Sequence, residues 1–180
     1  MKIVVNILGL KLGWWACVLG AIYGFWWIGP IVVGIHLAAH LALTADLRRE
    51  TVFLVCAAVL GLVLDSTLSW FSILSYREPL GVGWLSPIWM VVLWPNFASG
   101  FTRSLAFLKG QLGVALLFGA IGGPLAYWGG AKLGAITFAD SMGLLWVSLV
   151  WAVAMPLLSA IAPFDEGQNA ANDQTEQAAA

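Results

Sequence analysis

His36, His40, Asp65, Asn96 and Arg103 stand in stretches that are otherwise almost wholly apolar. An ionisable side chain at membrane depth is rare and marks a functional site by default. Asp65, followed by Ser66 and Thr67, lies near the middle of such a stretch. A bare carboxylate there is costly, so Asp65 has to be protonated or paired. Lys11, Arg103 or one of the histidines is the expected partner. Two roles follow: a hydrogen-bonded tie between helices, or a proton or ion relay. His36 and His40 are four apart and share one helical face. Two imidazoles at that spacing can hold one metal, and Asp65 on the next helix completes a two-histidine, one-carboxylate set. No Glu adjoins His36 and the chain has only 2 His, so histidines that tie helices are the stronger expectation. Asn96 and Arg103, seven apart, share a face over two turns. Arg103 is expected to snorkel or to meet lipid phosphate, and Asn6 and Lys11 play similar parts on the first helix.

The elements that must position these residues are transmembrane helices. The 180 residues are 61% hydrophobic and 9% charged, with a mean hydropathy of +0.92. Soluble domains are about a quarter charged and under half apolar. A formal net charge of −1 without a basic run leaves no footprint for nucleic acid. A span needs about 20 mostly apolar residues. Helices are therefore expected over 3–22, 26–43, 51–72, 87–108, 112–127 and 141–161. The result is an all-α polytopic bundle of about six spans. The first is an uncleaved helix rather than a signal peptide. Segments 46–50 and 129–140 read as loops. The domain ends at residue 162, and 163–180 is a polar, alanine-rich tail expected to be disordered. Cys17 and Cys56 lie in apolar runs and are not expected to pair.

Positive loops face the cytoplasm. Lys2, Arg48, Arg49 and Lys109, with Lys11 and Arg103 in reach, fall on one side. Arg77 and Lys132 fall on the other. Both termini are therefore expected inside. In that topology Trp26, Trp27, Trp70, Trp84, Trp89, Trp128 and Trp146 lie at outer helix ends, as an interfacial anchor or an aromatic floor for an amphiphile. Gly9, Gly13, Cys17 and Ala21 form a small-residue stripe on the first helix, and Ala115, Gly119 and Gly123 form one on the fifth. Both should be buried against neighbours. Pro95, and Pro124 after Gly122 and Gly123, should kink or break their helices and free carbonyls near Val91 and Ala120. Phosphate loops, nucleophile elbows and Cys-x-x-Cys pairs are missing, and no cofactor is implied.

Several stretches carry a resemblance: Asn6 to Cys17, Gly61 to Ser66, Pro87 to Ala98, and above all Gly119-Ala-Ile-Gly-Gly-Pro124-Leu-Ala-Tyr127-Trp128 running on to Gly134. Across about residues 1–160 the chain resembles the bacterial family of unknown function numbered 2878, small polytopic inner-membrane proteins. The resemblance implies an envelope protein without an established activity. It also implies a lipid-related role, since relatives are often encoded beside enzymes that modify membrane fatty acids. The expected function is non-enzymatic handling of lipids or amphiphiles, or an accessory role beside other membrane proteins or lipid-modifying enzymes. The alternative is a membrane-embedded lipid-modifying enzyme using Asp65 and the His36/His40 pair.

Overall fold

A computed structural model describes residues 2–77 and 83–163. Helices α1 (Lys2–Tyr23), α3 (Leu47–Trp70), α6 (Leu112–Leu133) and α7 (Gly143–Ile161) are long and apolar enough to cross a membrane. Helix α2 (Ile28–Ala42) is apolar but shorter. Strands β1 (Leu74–Tyr76) and β2 (Ile136–Phe138) follow α3 and α6. Between them lie two short helices, α4 (Ile88–Val91) and α5 (Leu93–Ala98), and the 3₁₀ turns Ser99–Thr102 and Ala106–Leu108. The tail from residue 164, expected to be disordered, lies outside the described residues.

Helix α1 pairs with α2, and α6 with α7, as hairpins. Gly24, at φ +81°, turns α1 into α2. The stripe on α1 is buried as expected: Gly9 lies against His36, Gly13 against Asn96, and Cys17 against Gly29. The α6 stripe packs on α7, with Gly119 against the Trp151 carbonyl and Gly123 against its indole. Pro124 does not break α6, which runs unbroken to Leu133. The carbonyl that Pro124 deprives of its helical donor is that of Ala120. Ser148 of α7 supplies the replacement, donating to Ala120 O at 2.7 Å. Lys132 thus stands on a helix, whose end is set by Gly134 at φ +88°. Residues 129–133, expected in a loop, are helical because small residues in α6 pack against neighbours instead of fraying.

The continuous helix expected over 87–108 is absent. Pro95 has no N–H to give to the Val91 carbonyl, and α4 ends at Val91. Further on, Ser99 Oγ donates to the Asn96 carbonyl at 2.7 Å. Such back-bonding competes with the helical ladder, and the chain tightens into 3₁₀ turns. Trp94, Asn96, Ala98, Phe101 and Thr102 are all buried. Broken backbone at membrane depth is tolerated only inside protein. This segment is therefore an interior core enclosed by α1, α2, α3 and α7 rather than a lipid-facing span. Beyond the helices, β1 and β2 pair antiparallel, with Ser75 opposite Thr137. This short ladder clasps the exit of α3 to the exit of α6, at the end where Trp70 and Trp84 meet edge to face at 5.3 Å.

Candidate functional site

The interior segment organises two buried polar sets and one cavity. Asp65 is fully buried on α3. Trp94 Nε1 donates to Asp65 Oδ2 at 2.8 Å, and the Tyr127 hydroxyl donates to Oδ1. The expected partners Lys11, Arg103 and the histidines are not the ones it uses. Gly61 lies one turn before Asp65 on α3. A Cβ there would lie 2.0 Å from Trp94 Cγ, so Gly61 seats the indole whose N–H Asp65 accepts. Tyr76 of β1 approaches the same carboxylate without reaching hydrogen-bond geometry. Burial, then the neighbouring Asp65, pushes its phenol well above the ordinary range.

The second set joins α1, α2, α3 and the interior segment. Asn96 Nδ2 donates to Leu10 O at 3.4 Å, which turns its carbonyl toward α2. His36 Nδ1 then donates to Asn96 Oδ1 at 2.7 Å, leaving Nε2 as the acceptor of a neutral ring. His40 Nε2 donates to Glu50 Oε1 at 2.7 Å, and Thr102 Oγ1 donates to the same oxygen at 2.9 Å. Asn6 Nδ2 donates to Ser99 Oγ at 3.0 Å, and Ser104 Oγ donates to Asn6 Oδ1 at 2.7 Å. Arg103 does not snorkel. It is 6% exposed and donates to Thr102 O at 2.9 Å and to Leu43 O at 3.1 Å. The reason is local: α2 ends there with carbonyls that lack helical donors, and a guanidinium can take them.

Glu50 is absent from the expected site residues because it adjoins Arg48 and Arg49 and reads as loop. Asp46 caps α3 by accepting from Arg49 N at 3.0 Å, which brings Glu50 into the first helical turn. Glu50 is only 2% exposed. The available signal is helical spacing: Glu50, Leu54, Ala57, Gly61, Asp65 and Leu68 follow one buried face of α3.

Asp65 and the histidines thus belong to separate hydrogen-bond sets. Among the described residues, no three His, Cys, Asp or Glu side chains are grouped to hold a metal. Of the expected interfacial tryptophans, Trp26, Trp27, Trp70, Trp84, Trp128 and Trp146 are exposed. Trp89 is not: it is 1% exposed, and its indole donates to Arg77 O at 3.1 Å.

A cavity of about 110 Å³ lies between α1, the interior segment, α6 and α7. Aromatic rings make a large part of its wall, among them Trp14, Trp89, Trp94, Tyr127 and Trp151. Trp94 and Trp151 stack at 4.6 Å and 16°. Asp65 lies behind that wall, gripping the two rings Trp94 and Tyr127 by their polar tips. Ala126 lines the cavity and is exposed on α6, and Leu10 and Trp14 of α1 line it half-buried, so the mouth opens between α1 and α6.

Fold and site define a helical membrane protein whose core is a broken interior helix, tied by buried polar groups and flanked by an aromatic cavity. A family model matches residues 3–157, and the chain belongs to that family, described as a protein of unknown function (DUF2878). No curated protein and no solved structure matches the chain.

Proposed function

We propose that this is a non-enzymatic protein of the bacterial inner membrane that holds the apolar chain of a lipid or other amphiphile. The aromatic cavity carries the proposal. An apolar cavity of about 150 Å³ takes a benzene ring, so about 110 Å³ accepts a few methylenes of a chain rather than a whole lipid. Its mouth faces the side of the bundle where acyl chains lie, past the small side chain of Ala126. Asp65 serves as a positioning residue, fixing two of the rings from behind. The commitment of His40 to Glu50, and of Asp65 to ring donors, supports binding over catalysis. The clustering of Lys2, Arg103 and the α2 terminus at one end of the bundle supports a cytoplasmic placement of that end.

The test is photolabelling in membranes with a phospholipid bearing a diazirine on its acyl chain, with adducts mapped by peptide mass spectrometry. Adducts are expected on cavity residues such as Trp14 and Gly130, as well as on the outer helix faces. Ala126→Trp, which covers the mouth, should cut the cavity adducts several-fold and leave those at outward-facing Val153 unchanged. Adducts confined to outward faces in the unsubstituted protein would refute the proposal.

A further inference from the structure

Building on the chain-binding role proposed above, we infer that the cavity selects a neutral chain carrying a hydrogen-bond-accepting oxygen, such as an ester or ketone carbonyl. Plain hydrocarbon and ionised carboxylate are the disfavoured forms. The argument starts from Trp151. Its ring lines the cavity, and its Nε1 is buried with no hydrogen-bond partner among the described residues. Indole N–H is a donor and nothing else. A buried donor left unpaired is costly, and native structures rarely leave one without a reason.

Three other ring donors of the wall are already committed. Trp94 gives its N–H to Asp65, and Trp89 gives its own to Arg77 O. The Tyr127 hydroxyl donates to Asp65 and approaches Trp151 without meeting hydrogen-bond geometry. Trp151 is held in place by stacking on Trp94 and by edge contact with Phe97 at 5.2 Å. Its Cδ1, the atom bonded to Nε1, lies on Gly123 of α6. The nitrogen edge therefore runs along the helix that also supplies Ala126, Tyr127 and Gly130 to the cavity.

Charge decides between acceptors. No cationic side chain lines the cavity among the described residues. The titratable group directly behind Trp94 and Tyr127 is an acid, Asp65. A carboxylate would lose its hydration there without gaining a counter-charge. A neutral carbonyl satisfies the indole and needs no counter-charge. A hydrocarbon fills the space but leaves the donor unpaired.

The experiment uses the full-length protein in lipid nanodiscs and three diazirine-bearing chains of one length, ending in a methyl ester, a carboxylate or a methyl group. Cavity adducts are quantified against adducts on outward faces. The ester is expected to label the cavity about fivefold more than the hydrocarbon, the effect of one net hydrogen bond, and the carboxylate should label least. Trp151→Phe keeps the stacked ring and removes the donor, so it should bring ester labelling down to the hydrocarbon level. Equal cavity labelling by ester and hydrocarbon in the unsubstituted protein overturns the inference while leaving chain binding standing. So does an ester preference that survives Trp151→Phe. Absence of cavity labelling by all three chains defeats the chain-binding role itself.

Discussion

Asp65→Ala and Asp65→Asn should part company sharply. In Asp65→Ala, Trp94 Nε1 and the Tyr127 hydroxyl lose their shared acceptor, and both rings are buried. Each buried donor left unpaired costs about 1–3 kcal/mol. In membrane proteins the unfolded reference state also finds partners, and measured interhelical hydrogen bonds average only about 0.6 kcal/mol. The lower half of the range is therefore the better guide, and with the small void left behind Asp65→Ala should lose about 3 kcal/mol. Asp65→Asn keeps one oxygen for Trp94. Its amide faces Tyr127, whose hydroxyl can rotate from donor to acceptor. Asn should lose under about 1 kcal/mol. The assay is reversible unfolding in mixed micelles, with Tyr127→Phe added to both variants to form double-mutant cycles. With Asp65 in place Tyr127→Phe should be costly. In the Asp65→Ala background it should be nearly neutral, because the donor that this substitution leaves stranded is gone. If Asn and Ala destabilise equally, the carboxylate's charge matters rather than its role as acceptor. If Ala is neutral, Asp65 ties nothing.

Two further outcomes test the same logic elsewhere. Ser148→Ala should cost about 1 kcal/mol by stranding the Ala120 carbonyl. In a Pro124→Ala background that cost should vanish, because the restored amide N–H takes the carbonyl itself; a double-mutant cycle in the same unfolding assay reads the coupling. Glu50→Ala leaves His40 and Thr102 without their common acceptor and should destabilise by about 2 kcal/mol. Glu50→Gln, which retains an oxygen, should recover most of that, and equal losses in the two would show that the acid rather than the acceptor is required.

The spans of α1, α3 and α7 are legible in the sequence because an uninterrupted apolar run of that length has few alternatives. The segment containing α4 and α5 reads as a further span for the same reason, and wrongly. Composition separates apolar from polar, but it does not separate a surface facing lipid from one facing protein. Pro95 signals the interruption, and burial explains why the interruption is tolerated. Asp65 stands out as an acid in an apolar run. Its partners do not, because Trp94 and Tyr127 are aromatic and read equally well as packing or interfacial residues. Glu50 is hidden by the charges beside it. Only the helical phase it shares with Gly61 and Asp65 points inward, and that phase is visible only once the Asp46 cap fixes where α3 begins.

The enclosed interior segment has a consequence for how the protein is made. A helix released from the translocation machinery enters lipid on its own merits, and Asn96, Ser99, Thr102 and Arg103 give this one few. Its polar side chains are met by α1, α2 and α3, already synthesised, but the ring of Trp94 meets its stacking partner only when Trp151 of α7 has emerged. The middle of this chain is thus a lodger that arrives before its last wall is built. A chain arrested soon after residue 111 should carry that segment unsettled, open to quality-control proteases, until the α6–α7 hairpin closes over it.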